Sequence, residues 1–207
     1  MATRSQFPAG SLPRPDYQPG EYLRSEDLRV GQDYLQQRLR RHERRLHGWG
    51  VICGMRVIPA NDPSHPWGVC VCPGFAVGPY GDQIQLLCRA SVDISEFLWL
   101  SPVGARLPRV AYIGIRYAER LTKPIPAPTA ECQCTTTVYS PSRIEDGYQL
   151  SALWELPLEQ GLSGFDICKR DSPPVEECPP SPYLVLAHVN LPSTVGQQVV
   201  AANIVNV

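Results

Sequence analysis

Four of the eight cysteines lie in two proline-rich segments, and their thiolates are the groups of this chain best suited to hold a metal ion. Cys132 and Cys134 form a C-x-C pair, and Cys168 and Cys178 are separated by nine residues. Four thiolates from two irregular loops can close a tetrahedral zinc site. The same residues can instead form disulfides, or stay free thiols in a reducing compartment. Structural zinc is therefore the one cofactor that the sequence suggests.

Two other cysteines recur at the spacing of a β-strand. Cys70 and Cys72 stand two residues apart, so in a strand they share one face, and Cys53 and Cys88 lie in candidate neighbouring strands. A free cysteine behaves as a small apolar residue. We interpret these four as buried residues of the core, with a second metal cluster as the alternative.

No catalytic motif accompanies the cysteines. The sequence contains no G-x-G-x-x-G, G-x-x-x-x-G-K-[ST], G-x-S-x-G or H-E-x-x-H pattern. The four histidines are scattered along the chain, away from any recognisable nucleophile. We expect that this protein is not an enzyme.

The charge and the apolar runs limit the partners of the chain. Lys and Arg number 19 and Asp and Glu number 20, which leaves a net charge of -1 and no overall attraction to nucleic acid. The N-terminal segment lacks the apolar stretch of a signal peptide, and no run approaches the ~20 apolar residues that span a bilayer. We expect synthesis in the cytoplasm, no membrane span and no nucleic-acid partner.

The chain divides into three parts by composition. Residues 1–24 are rich in Pro, Gly and Tyr and predict an extended arm. Residues 25–48 predict a long helix, with Ser25 as its N-cap and acidic residues in its first turn. From 49 to 207 the apolar pattern has a period of two, broken by the Cys- and Pro-rich loops 123–142 and 168–182.

The predicted fold is mainly β with one long N-terminal helix. Short antiparallel strands should form a β-sandwich-like domain, to which the helix and the arm are attached. The strands are predicted near 50–58, 67–72, 74–78, 83–88, 109–117, 147–154 and 183–191.

A narrow apolar stripe runs along the predicted helix, close to the pattern of a coiled-coil seam. Such a stripe is too thin to stabilise a lone helix, so we expect it to pack on copies of itself or on the sheets. We predict a homo-oligomer, with a trimer favoured. The predicted interface residues are Leu28, Leu35, Leu39, His42 and Leu46, together with Tyr22 of the arm.

The helix passes into the first strand through Gly48, Trp49 and Gly50. A glycine at the end of a helix readily adopts the left-handed conformation. We expect the Trp49 ring to pack beneath the turn and to hold the helix rigidly to the β domain. The nearby arginines, five between residues 38 and 45, are expected to face solvent or carboxylates of a partner protein.

Several segments together resemble one family of proteins. "DYQPGEYLRSEDLRVGQDYLQQRLRRHERRLHGWGVICGMRV" and "VCVCPGFAVGPYGDQIQL" are similar to its pattern "LTAEDF…RLHGWGVVCGLxV" followed by "PG.A.D..G..I.V". "YIGIRYAERLTKPIPAP", "SPSRIEDGYQL" and "PYLVLAHVNLP" continue the likeness, which covers about residues 20 to 205. Glu21-Tyr22 and Arg24-Ser25 stand where the family has Gln-Leu and Thr-Ala, and Met55 stands for its Leu.

The family consists of structural proteins of tailed phages and of phage-tail-like contractile injection systems. The resemblance implies a baseplate or tail-fibre component that joins the assembled particle and contacts other tail or baseplate proteins. It does not imply catalysis. The alternative is a binding module whose cysteine-stabilised loops recognise a receptor or glycan.

Overall fold

The protein is mainly β with one helix on its N-terminal side, which confirms the predicted fold class. The computed structural model describes residues 12–100, 109–126, 139–157, 180–192 and 197–207. Helix α1 (Ser25–His42) continues into one π-helical turn, Glu43–His47. In the described ranges the strands are β1 (Gly50–Gly54), β2 (Val57–Pro59), β3 (Gly68–Val71), β4 (Gly74–Val77), β5 (Gln83–Leu86), β6 (Ala90–Asp93), β7 (Val110–Pro126), β8 (Tyr139–Leu153), β9 (Leu184–Asn190) and β10 (Ile204–Asn206).

The described strands form three antiparallel sheets, with the orders β1-β4-β5, β2-β3-β6 and β10-β9-β7-β8. One face of each sheet supplies the core, because side chains alternate across a strand. The core includes Val69 and Val71 of β3, Ile84 of β5, and Ile113 and Ile115 of β7, all fully buried. The packing of these apolar faces supports the prediction of a sandwich-like domain.

The first turn of α1 is capped differently from the prediction. Ser25 is its first helical residue, and the N-cap is Arg24. The backbone N–H of Arg24 donates to Oδ2 of Asp27 at 2.9 Å, so a carboxylate in the first turn satisfies this group. Within the described ranges, no helix has the length and apolar character needed to cross a lipid bilayer.

The interpretation of Cys70 as a core residue was wrong. Its neighbours Val69 and Val71 are fully buried, so the alternation of the strand directs Cys70 to the opposite, partly exposed face. Cys72 is also partly exposed, and Cys53 and Cys88 are exposed free thiols. The valines, which are larger and more apolar, occupy the inner face.

The predicted loop 123–142 was too long at both ends. Strands β7 and β8 stay paired as far as Pro126 and Tyr139. Prolines are tolerated in this stretch because the pairing of β7 with β9 ends at Ile115, and among the described residues only β7 and β8 continue beyond it. We call this two-stranded extension, residues 116–126 and 139–149, the ribbon. The part of the predicted loop from 127 to 138, and loop residues 168–179, lie outside the described residues.

Candidate functional site

The C-terminal half of α1 is docked on the turn that joins β4 to β5. Nε of Arg40 donates to Oδ1 of Asp82, whose side chain is only 11% exposed. One helical turn later, Nε2 of Gln83 donates to Oε1 of Glu43 at 3.0 Å. Gly81 lies against the helix backbone, because a Cβ atom there would be 2.2 Å from the carbonyl oxygen of Arg40. These contacts fix the direction of the helix relative to the sandwich.

The helix also touches the base of the ribbon. The guanidinium carbon of Arg40 lies 5.9 Å from the ring centroid of Tyr117. Nε2 of Gln36, one turn earlier, donates to Oε1 of Glu119 at 3.4 Å. Residues closer to the N-terminus of α1 thus contact residues of β7 that lie farther from the sandwich. The helix and the ribbon therefore extend from the sandwich in the same direction.

The apolar stripe predicted for the helix is at most half covered by the rest of the described chain. Of the residues of α1, which the structure describes in full, none is buried. The helix contacts the sandwich and the ribbon through Gln36, Arg40 and Glu43. At about 100° per residue, these side chains lie roughly a quarter turn from the leucines. The four leucines, which we call the leucine stripe, are Leu28 (50% exposed), Leu35 (66%), Leu39 (50%) and Leu46 (52%).

The two other predicted interface residues lie near the ends of the helix. Tyr22, just before α1, is 92% exposed. The imidazole of His42 packs edge-on against that of His47, with ring centroids 5.4 Å apart. The π-helical turn brings these two rings together, because residues five apart are in register there. His42 therefore makes a local contact beside the stripe.

The arm folds back onto the helix at Gly31, a contact that sequence reasoning missed. The hydroxyl of Tyr17 donates to the backbone oxygen of Asp27 at 3.4 Å. A Cβ atom at Gly31 would lie 3.4 Å from the Tyr17 hydroxyl and 3.5 Å from Cγ of Pro15. A glycine inside a helix weakens it, and here it makes room for the arm. The glycine in the middle of the predicted helix was the sequence feature that could have indicated this contact.

Two glycines with positive φ flank Trp49 at the junction of helix and strand. Gly48 follows the helix with φ of 74°, and Gly50 begins β1 with φ of 149°. Residues other than glycine adopt such conformations at a cost of roughly 1–3 kcal/mol. The Trp49 side chain is partly buried against the core. The chain therefore changes direction sharply while an aromatic ring anchors the corner.

One face of the ribbon continues the core-facing side of its sheet. Because Ile113 and Ile115 are fully buried, every second residue of β7 beyond them belongs to the same face. The cross-strand pairs on this face are Tyr117 with Tyr148, Glu119 with Asp146, and Leu121 with Ile144. We call these six residues the ribbon face. Leu121 is 64% exposed and Ile144 is 61% exposed.

A tyrosine joins the two carboxylates of the ribbon face. The hydroxyl of Tyr117 donates to Oδ1 of Asp146 at 2.6 Å and lies 3.1 Å from Oε1 of Glu119. Burial, and then the hydrogen bonds to these carboxylates, raise the pKa of Tyr117 above its ordinary value. The hydroxyl thus keeps its proton at neutral pH, and that one proton serves two acceptors.

The cysteines proposed for a zinc or disulfide site lie outside the described residues. Cys132, Cys134, Cys168 and Cys178 belong to segments of which the structure gives no account. Among the described residues, no group of three or more His, Cys, Asp or Glu side chains could hold a metal ion. Zinc, disulfides and free thiols at these four positions therefore stay predictions.

The docking of the helix can be measured with a double-mutant cycle on Arg40→Ala and Asp82→Ala. We expect a coupling free energy of about 1–2 kcal/mol in urea denaturation, because the hydrogen bond is charge-assisted and the carboxylate is mostly buried. The exposed pair Arg120–Glu145 serves as the matched control, because its side chains are 79% and 49% exposed and solvent should screen most of their coupling. Equal coupling in both cycles would contradict a specific docking contact.

Comparison with solved structures finds a likeness in overall fold. No family model and no curated protein matches this chain. It is similar to a chain of the type VI secretion system TssK-TssF-TssG baseplate subcomplex, with a TM-score of 0.41 and 11% sequence identity. The similarity covers 87% of this chain and 57% of that one, so the chain spans little more than half the length of its neighbour. Its function has to be inferred from its own residues and geometry.

Proposed function

We propose that this protein is a structural component of a contractile phage tail or phage-tail-like injection system, located at the baseplate or at the attachment of a fibre or appendage. It is made in the cytoplasm, joins the particle through its arm and helix, and catalyses no reaction. The observation that carries the proposal is a helix docked firmly at one end while its leucine stripe is exposed. The "HGWGVICG" and "PGFAVGPYGDQIQL" segments, which resemble the family pattern, support the choice of particle.

The leucine stripe gains free energy when a partner covers it. Full burial of a leucine side chain is worth about 1.5–3 kcal/mol, and each of the four is half exposed or more. A stripe of this width, with spacings of four and seven, suits packing against another subunit. We propose that the first partner is another copy of the chain, in a homo-oligomer that is most simply a trimer, and that other tail or baseplate proteins follow.

The fixed angle of the helix suits a structural part. A subunit of a symmetric particle has to present its contact surfaces in one orientation to every neighbour. Here the Arg40–Asp82 ion pair, the close approach of Gly81 and the Gly48-Trp49-Gly50 corner hold α1 to the sandwich. The arm and the leucine stripe therefore point in a defined direction.

The proposal predicts that Leu35→Asp together with Leu39→Asp abolishes self-association. Two carboxylates in a contact that buries the stripe would be desolvated without partners, so the complex should become a monomer in sedimentation velocity and native mass spectrometry. The subunit itself should stay folded by circular dichroism, because both positions are at least half exposed.

Val30→Asp with Gln37→Asp is the matched control, because these exposed positions lie on the opposite side of the helix. This variant should keep the oligomer. A wild-type chain that is monomeric at all concentrations, or a Leu35/Leu39 variant of unchanged mass, would contradict self-assembly. Absence of the protein from contractile particles purified from its host would contradict the structural role.

A further inference from the structure

We infer that the ribbon face is the docking surface for α1 of a second copy of this chain, with the leucine stripe on Leu121 and Ile144 and an arginine on the Glu119–Asp146 pair. This inference rests on the self-assembly proposed above and specifies which surfaces meet. It places a helix of one subunit on the ribbon of another, in contrast to a bundle of three helices.

The ribbon face continues the core-facing side of its sheet, but the described residues leave its outer part exposed. On the same side of β7, Ile113 and Ile115 are fully buried under the other sheets, while Leu121 further out is 64% exposed. Its cross-strand partner Ile144 is equally open. Two-stranded ribbons are marginally stable alone in water and gain stability when a helix packs on them. A helix from outside the subunit would supply that cover.

The subunit's own helix does not close over this surface. It touches the ribbon face through Gln36 and Arg40, near the base of the ribbon. Its leucine stripe is turned away from that contact, and every leucine in the stripe is at least half exposed. Among the described residues, one chain thus carries two apolar surfaces that are half exposed or more, one on the helix and one on the ribbon, and these two surfaces do not cover each other.

The charges of the two surfaces are complementary. Glu119 and Asp146 lie directly opposite each other, an arrangement that is destabilising for like charges. Neither of these two carboxylates takes part in the ion pairs Arg40–Asp82, Asp62–His65 and Arg120–Glu145. The single proton of Tyr117 neutralises neither of them. The pair therefore fits a cation.

The helix carries arginines at the edge of its leucine stripe. Arg38 follows Leu35 by three residues and Arg45 follows His42 by three, so each lies beside the stripe one turn further on. Within the described chain, Nη1 of Arg38 donates to the hydroxyl of Tyr34, a neutral partner, at 3.1 Å. The charge of Arg38 is therefore free to pair with a carboxylate of another subunit.

The spacing of apolar and charged groups also agrees. Leu121 and Glu119 are two residues apart on a strand, or roughly 6.7 Å. Leu35 and Arg38 are three residues apart on a helix, a rise of about 4.5 Å, and the long arginine side chain spans the difference. A helix lying along the ribbon can therefore place a leucine on Leu121 and Ile144 and a guanidinium on the carboxylate pair at once.

Complementation between two defective variants tests this arrangement. The helix variant is Leu35→Asp with Leu39→Asp, and the ribbon variant is Leu121→Asp with Ile144→Asp. Each should be monomeric alone. Their equimolar mixture should form a 1:1 heterodimer in native mass spectrometry, because one variant retains an intact ribbon and the other an intact helix.

Thr122→Asp with Arg143→Asp is the control for the ribbon, since this cross-strand pair lies one position further along on the opposite face. It should associate like the wild type, and circular dichroism should show all variants folded. Charge reversal adds a second readout. Arg38→Glu and Asp146→Lys should each weaken association about tenfold, and the two together should recover most of the loss.

The outcomes separate this inference from the proposed function. If the ribbon variant keeps the wild-type mass while the helix variant is monomeric, self-assembly stands and the ribbon is not its surface. If both variants are monomeric and no heterodimer forms, the helix of one copy does not bind the ribbon of another, and the inference is wrong. If the wild type never associates, the inference and the proposed self-assembly fall together.

Discussion

Gly74→Ala is expected to lower the free energy of unfolding by roughly 3 kcal/mol, the upper end of ordinary overpacking effects. A Cβ atom at Gly74 would lie 2.3 Å from the backbone nitrogen of Met55 and 2.4 Å from the carbonyl oxygen of Cys53. Both are backbone atoms of the β1 segment and cannot rotate away. For a chain of this size, thermal denaturation should show a fall in Tm of roughly 6–12 °C.

Gly78→Ala is the matched control for this prediction. A Cβ atom there would meet Cδ1 of Ile84 at 3.4 Å and the carbonyl oxygen of Asp82 at 3.5 Å, which are ordinary contacts. Its effect on Tm should be small. Equal melting temperatures for Gly74→Ala and the wild type would show that β1 and β4 do not approach as closely as the structure indicates.

Gly81→Ala is expected to undock α1 from the sandwich. Gly81 has φ of 85°, and its added Cβ would lie 2.2 Å from the carbonyl oxygen of Arg40. The helix would have to move outward, which would also break the Arg40–Asp82 ion pair. Hydrogen–deuterium exchange of the amides in residues 36–43 should accelerate about tenfold or more, because docking protects that half of the helix.

Gly20→Ala separates steric contact from backbone strain. Gly20 has nearly the same φ, 84°, yet no atom lies within 4 Å of a Cβ placed there. Both substitutions cost about 1–2 kcal/mol of left-handed strain, so any additional effect at Gly81 reports the contact with the helix. Similar exchange of residues 36–43 in both variants would show that Gly81 does not determine the docking of α1.

Local patterns determined the elements of this fold. The charged segment from Ser25, ending at Gly48, predicted one helix, and the period of two after Gly50 predicted most of the strands. Each of these patterns involves residues close together in the sequence, so it can be recognised without knowing which segments pack against each other. β6 and β10 were missed because they are strands of four and three residues that depend on pairing with β3 and β9.

The choice of the buried face came from tertiary contacts. In "VCVC" the valines and the cysteines have the same period, so the sequence alone does not tell which set points inward. The sheets of the sandwich cover Val69 and Val71 and leave Cys70 on the other side. The same reasoning explains the ribbon, whose prolines are typical of a loop. They are compatible with strands here because no described strand other than β8 pairs with β7 beyond Ile115.

The sequence by itself determined which residues form the leucine stripe and the glycine-flanked corner. The tertiary structure decided that the stripe is at least half exposed, that Glu119 faces Asp146, and that Gly74 and Gly81 are points of close backbone contact. The physical reason is the separation along the sequence between the residues that determine each feature. Periodicity and helix termini depend on adjacent residues, whereas exposure and contact depend on segments far apart in the chain that meet only after folding.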